Sequence, residues 1–464
     1  MKDSFEKLIF LLNSNNEKYM KMGIYALRKF FVEKVKSNNA IDENGNIDIN
    51  KNTFYLDDFI NNKIFEKLFN IINNNRKDFI NCYEIFWILL DSSIFPSRIG
   101  NNFYDYHFIF FTQENIDLYN FLVINNETPK EIVLLLIKFL SNLCLYNENI
   151  RLLLLKNNLV SNSFSRIKNT NGIINYEILY EFYHLFSIIA KNFNNFDFDS
   201  SKIFFHIFSS PMDISNEEGI QIYCLYGLEK LSRIKDENII KLFTESKVII
   251  DNYKNLIKPP LKEELIFYSL KILSNLLLNT SSINVKNFIQ KIDILNIYLY
   301  LIDPSVINLF LEKINIQSEI IIGFGNLCLI DPTYGIYLTN YDNIYHLLLK
   351  VLEDTSFNNK IYALKTFYNA FKIENINISE EKILLLLKKL IFMMNIESNK
   401  KLLIEVLDVT LILISILINY NDSDIEKVRF ILNNFGFEDI IQRKEIFECL
   451  NEEQYQLFNL FINK

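Results

Sequence analysis

KFLSNLCLYNENIRLLLL, residues 138–155, contains the word on which the fold is decided. Nearly the same word returns 184 residues later, as GNLCL within IIGFGNLCLIDPTYGIYL (321–338). Each copy sets one asparagine, Asn142 or Asn326, into a stretch that is otherwise apolar at helical spacing. Asparagine is a poor residue for a helix interior, because its amide competes with the backbone for hydrogen bonds. Its return in the same setting points to a shared repeat plan.

Working outward, five segments fall into register on this word: KFLSNLCLYNENIRLLLLKNNLV from Lys138, YGLEKLSRIKDENIIKLFTESKVI from Tyr226, KILSNLLLNTSSINVKNFIQKIDI from Lys271, IGFGNLCLIDPTYGIYLTNYDNI from Ile322 and KTFYNAFKIENINISEEKIL from Lys365. Each opens as an amphipathic helix, crosses a short polar gap and continues as a second helix. The fifth positions are Asn142, Lys230, Asn275, Asn326 and Asn369, with Asp91 and Ile188 filling the remaining slots from residue 91 onward. Taken in chain order, these seven slots are separated by 51, 46, 42, 45, 51 and 43 residues. That is close to the ~40–47 of armadillo and HEAT units. A short helix before the long one in several units favours the three-helix armadillo form over the two-helix HEAT form.

Size and composition agree. At 464 residues the chain exceeds one compact core, and 50% hydrophobic content suits order along most of it. Only 10 Gly and 7 Pro occur, too few for a fold rich in tight turns. We therefore expect an all-α, right-handed superhelical armadillo solenoid of about nine to ten repeats over 1–464. Residues 36–54 are expected to form a solvated loop between the first two repeats, and 426–464 a C-terminal capping repeat. The net charge of −8 argues against nucleic acid as partner. The stretch LLIEVLDVTLILISILI (402–418) carries Glu405 and Asp408 and is shorter than a span needs, so it reads as a core helix, with no membrane insertion.

No enzyme signature appears: there is no phosphate-binding glycine loop, nucleophile elbow or HExxH. The four histidines are isolated and the five cysteines far apart, so neither a metal, a cofactor nor a disulfide is expected. DENGNIDINKNT, from Asp42, imitates a calcium loop but has Ile47 where Gly is needed and Thr53 where Glu is needed.

With the repeats in order, the chain resembles the importin-alpha (karyopherin-alpha) armadillo family. LNSNNEKYMKMGIYALRKFFVEK (12–34) is similar to its first repeat. FINNKIFEKLFNIINNNRKDFINCYEIFWILLDSS (59–93) is similar to its second, and NFGFEDIIQRKEIFECLNEEQYQLFNLFINK (434–464) to its last. The resemblance implies a nuclear-import adaptor, cytoplasmic and nuclear, that holds basic nuclear-localisation peptides of cargo proteins in a concave groove. It implies that an Asn on each third helix clamps the peptide backbone while tryptophans and acids take the basic side chains. Carried over by position, the groove residues are Trp87, Asp91, Asn142, Glu148, Asn275, Asn326 and Asn369. The other tryptophan positions hold Lys138, His184, Tyr226, Lys271, Ile322 and Lys365, and the lysines would repel a basic peptide. Importin-beta is the further partner that the resemblance implies, although Lys2, Lys7, Lys18 and Lys21 form no basic cluster for it. Two other readings stand beside this one. In the first, the asparagines bridge adjacent repeats as a buried ladder. In the second, the chain is an armadillo scaffold for cytoskeletal, trafficking or assembly partners.

Overall fold

Caps set the helix boundaries that the apolar period leaves open. Asp78 accepts a hydrogen bond from the Asn81 amide at 3.1 Å, and Asp197 from the Ser200 amide at 2.8 Å. Asp236 accepts from Asn238 and Ile239. Each satisfies amides that a helix start leaves without intrahelical partners. Asn147 is such a cap: its side chain accepts from the amides of Asn149 and Ile150.

The computed structural model describes residues 2–14, 16–38, 56–95, 105–169, 176–191, 196–212, 217–256, 262–307, 314–354, 356–372, 378–420, 425–441, 443–452 and 454–456. Among them there is no strand. They divide into two units, Met1–Ile234 and Lys235–Lys464.

The first unit opens with α1 (Lys2–Leu12) and α2 (Glu17–Asn38), then α3 (Asp57–Asn61), α4 (Ile64–Asn74) and α5 (Phe79–Ser92). Next come α6 (Gln113–Ile124) and α7 (Lys130–Tyr146), then α8 (Glu148–Lys156), α9 (Leu159–Asn169) and α10 (Tyr176–Ile189). It closes with α11 (Phe198–Ser209) and α12 (Glu218–Ser232). Helices α2, α5, α7, α10 and α12 pack side by side in that order, as the third helices of successive repeats.

The second unit holds α13 (Glu237–Glu245), α14 (Lys247–Leu256) and α15 (Glu263–Leu277), then α16 (Ile283–Ile292), α17 (Ile294–Leu301), α18 (Pro304–Ile307) and α19 (Ile314–Ile330). It continues with α20 (Gly335–Asn340), α21 (Asp342–Asp354) and α22 (Phe357–Phe371), then α23 (Glu380–Ile396) and α24 (Lys400–Tyr420). Three short helices follow: α25 (Ile425–Asn434), α26 (Phe437–Ile441) and α27 (Lys444–Phe447). Here α15, α19, α22 and α24 form the third-helix stack.

The third helices inside each stack are buried over most of their circumference. On α7, Ile132, Val133, Leu136, Phe139, Leu140, Leu143 and Cys144 are all buried. Complete burial of such a side chain is worth about 1.5–3 kcal/mol. The stack is thus held by apolar area, and a helix this apolar is stable only when surrounded.

The second helices are tied by polar bonds. Asn73 donates to Asn115 at 3.1 Å, and Asn162 to Asn120 at 2.9 Å. Arg166 of α9 donates to the carbonyls of Leu122, Val123 and Asn125, where α6 ends. In the second unit Arg443 does the same for α23, donating to Met394 at 2.6 Å.

Helix α24, which covers the stretch 402–418, is long and apolar enough to cross a membrane. In this fold it is half buried, packed against α22, α23 and α25. Of the expected loop 36–54, residues 36–38 complete α2 and the rest lie outside the described residues, as does the calcium-loop imitation. In the expected capping repeat, Asn451 and Gln454 cap each other, and Gln454 donates to Asp408 of α24 at 2.6 Å. All five cysteines are free thiols.

Candidate functional site

Each third helix leaves one row of side chains open, at a spacing of three to four residues. On α5 the row is Ile80, Tyr83 with Glu84, Trp87 and Asp91; on α7 it is Glu131, Leu134, Lys138, Asn142 and Leu145. On α10 it is Tyr176 with Glu177, Tyr180 with Glu181, and His184, and on α12 it includes Tyr223, Tyr226 and Lys230. These rows contain Trp87, Asp91, Lys138, Asn142, His184 and Tyr226 from the positions singled out in the sequence. Helical geometry alone gives this result, since residues three and four apart share a face.

In the first unit the open face is a run of charge and ring contacts between neighbouring helices. Arg28 of α2 donates to both oxygens of Glu84, at 2.7 and 2.6 Å. Its guanidinium stands 5.6 Å from the Trp87 ring and 5.7 Å from the Tyr83 ring. The slot that would take a cation of a bound peptide is therefore faced by the chain's own arginine. Asp91 lies one turn further on; burial pushes its carboxyl up to about 6, against the opposing pull of Arg28. Lys138 does not stand alone: its ammonium lies 3.3 Å from Glu177 and 3.7 Å from Glu181 of α10. The repulsion expected of this lysine toward a basic peptide is thus largely neutralised. His184 stacks on Tyr223 at 5.2 Å, and the Tyr180 and Tyr223 hydroxyls meet at 3.0 Å.

Three of the asparagines reach sideways to the preceding helix. Asn142 donates its amide to Ser93 Oγ at 2.9 Å, and Ser93 Oγ donates in turn to the Leu90 carbonyl at 2.7 Å. In the second unit Asn326, only 8% exposed, donates to the Ser274 carbonyl at 3.2 Å. Asn369 donates to the Gly325 carbonyl at 3.3 Å. Three amides thus tie a third helix to the one before it. Asn275 is half-exposed on α15. Glu148 is exposed in the first turn of α8, next to the Asn147 cap. The other two lysines in tryptophan positions differ from each other: Lys365 lies 3.4 Å from Glu405 of α24, and Lys271 sits 4.7 Å over the Phe267 ring.

Sequence reasoning missed Arg28, Tyr83, Tyr180 and Tyr223, and missed the acids Glu84 and Glu181. A signal was present: Glu84 and Glu181 both stand three residues before a tryptophan position, Trp87 and His184. Among the described residues, no group of three His, Cys, Asp or Glu is placed to hold a metal.

No protein-family model and no curated protein matches the chain. Solved structures do. An engineered protein from a structural genomics programme matches at TM-score 0.66 and 12% identity, over 98% of both chains. A structure from work on a phosphorylation switch in the interaction between cadherin and beta-catenin matches at TM-score 0.66 and 9% identity, over 98% of this chain and 85% of that one. A designed armadillo repeat protein solved with the peptide (KR)4 matches 55% of this chain at TM-score 0.43 and 11% identity. The repeating helices, with the two likenesses at TM-score 0.66, give the chain the armadillo solenoid fold.

Proposed function

We propose that this protein is a binding scaffold, not an enzyme, and that it takes extended segments of partner proteins along the open rows of its third helices. The observation that carries this is the construction of those helices. They are packed on all other sides, yet they leave aromatic, amide and charged side chains half-exposed in register on consecutive helices of each unit. An unbranched row of that kind suits an extended chain, whose side chains alternate along it. Selection from a displayed library of linear peptides tests the reading. The expected result is peptides whose binding is lost on Trp87→Ala or Tyr180→Ala. Selected peptides that ignore both substitutions would overturn it.

A second, finer reading is favoured by Asn142, Asn275 and Asn369, half-exposed at matching positions, and by Trp87; Asn326 shares the position but is buried. It is that of an importin-alpha-like adaptor, shuttling basic cargo between cytoplasm and nucleus with importin-beta as a further partner. A lysine-rich signal peptide then binds more tightly than a neutral one of equal length, and the difference shrinks between about 50 and 300 mM salt as screening shortens. Equal affinities at low salt rule the adaptor out and leave the scaffold reading in place.

A further inference from the structure

One stretch of the open face in the first unit carries the opposite charge from a basic-peptide groove. At α12 the tryptophan and asparagine positions are held by Tyr226 and Lys230, and the Lys230 ammonium lies 4.7 Å over the Tyr226 ring. Arg233 follows as the C-cap of α12. Arg151 of α8 and Lys191, just beyond α10, stand on helices packed in sequence toward α12, α8 against α10 and α10 against α12. Burial, and then the charges of Arg151 and Lys230, hold Lys191 below the usual ammonium range. Tyr226 feels both Arg233 and Arg151, which oppose the upward push of burial and Glu229 on its phenol. The side chains of α8, α12 and the end of α10 thus bring four cations to one stretch of the open face, with Lys230 over Tyr226.

The acids nearby do not balance them. Glu229 is 2% exposed and is engaged by Lys230 at 3.0 Å and Arg233 at 2.5 Å. Among the described residues neither Arg151 nor Lys191 has an ion pair. Arg151 donates to the Cys144 carbonyl at 2.9 Å, while its Nε is buried without a hydrogen-bond partner. Glu148, exposed three positions before Arg151, offsets one charge. Cations are favoured at helix C-termini, which accounts for one per helix end. It does not account for four on a single patch, because like charges in contact repel.

We infer that the patch formed by Arg151, Lys191, Lys230 and Arg233 around Tyr226 is a docking site for an acidic side group, carboxylate or phosphate, of an extended partner segment. The inference rests on the third-helix reading above and names the chemistry that one part of that face selects. An anion placed there gains charge-assisted bonds from cations that otherwise face each other.

Fluorescence anisotropy with the full chain tests it. The probes are three labelled twelve-residue peptides with a central cluster of glutamates, of phosphoserines or of neutral glutamines. The glutamate and phosphoserine probes are expected to bind, and which binds more tightly identifies the group. Lys230→Gln and the exposed Lys191→Glu are each expected to weaken that binding by about tenfold, the size of one lost charge-assisted contact. Lys29→Gln, exposed on α2 and separated from α12 in the stack by α5, α7 and α10, is expected to leave it unchanged. Because Lys230 serves the buried Glu229, a Lys230→Gln protein that unfolds is set aside, and Lys191→Glu carries the test. Acidic probes that bind no better than the neutral one, while library-selected peptides still bind, overturn the inference and spare the third-helix reading. Failure of every peptide overturns both.

Discussion

At the scale of single residues, the asparagine that recurs in apolar surroundings has a structural duty. Asn326→Ala leaves the Ser274 carbonyl without its donor in a buried place, so a loss of about 1–3 kcal/mol is expected in urea unfolding. An unchanged midpoint would mean that the amide serves only an outside ligand. Tyr298 gives the reverse case. Its hydroxyl is buried with no hydrogen-bond partner, and it lies so close to Gly323 that a Cβ there would overlap it. Tyr298→Phe is therefore expected to be neutral or to stabilise by up to about 1 kcal/mol, and Gly323→Ala to destabilise. A clear loss from Tyr298→Phe would show that the hydroxyl is bonded. Asp91 supplies a pH signature. Its folded-state carboxyl is raised to about 6, so the folded chain binds that proton more tightly than the unfolded chain. Stability falls as pH rises from about 4 to about 6, and the cost is fully present above that window. Asp91→Asn removes it, raising stability near pH 7.5 by at most about 1 kcal/mol, since a half-exposed carboxylate is screened. The gain should shrink as the pH is lowered toward 5 in melting experiments; a gain independent of pH would point to packing instead.

At the scale of helices, two kinds of contact hold one repeat on the next. Third helices meet through apolar area, and second helices through carbonyl clamps. Arg166 is the clearest clamp: one guanidinium nitrogen serves Leu122, Val123 and Asn125, and burial lowers its affinity for its proton. Arg166→Gln is expected to cost about 2–3 kcal/mol, because several charge-assisted bonds are lost and the carbonyls at the end of α6 are left bare. Arg166→Lys should recover only part of it, since an ammonium lacks the planar fork. Full recovery by lysine, measured by denaturation midpoint, would reduce the clamp to simple charge. Arg443, which repeats the arrangement at α23, should behave alike.

At the scale of the whole molecule, repeats touch mainly their neighbours, so cooperativity falls off along the chain. The sequence offers a convenient reporter. Its one tryptophan, Trp87, lies in the first unit, Met1–Ile234. Trp87 fluorescence follows that unit alone, while far-ultraviolet circular dichroism follows helices everywhere. The two urea transitions are expected not to coincide. Superimposable curves would mean that all 464 residues unfold as one cooperative body.

Much of the fold was legible because it depends on local spacing. The apolar period of KFLSNLCLYNENIRLLLL and its four partners fixes where helices run and which side packs, and the step between copies fixes the repeat. The same period places Trp87, Asn142, Asn326 and Asn369 each on or beside the open row of its own helix. What those residues meet was not legible. Arg28 reaches Glu84 across 56 positions, and Lys138 reaches Glu177 across 39. Such pairs depend on how far each helix is rotated against the next, a fraction of a turn that apolar packing decides. The sequence by itself therefore determined the repeats and their open face. Only the tertiary structure decided that Asn142, Asn326 and Asn369 bind neighbouring helices, that the chain's own cations meet Trp87 and the acids of α5 and α10, and that further cations gather near Lys230. The physical reason is range. Burial pattern is a property of consecutive residues, whereas a charge finds its partner across the packed interface between two helices.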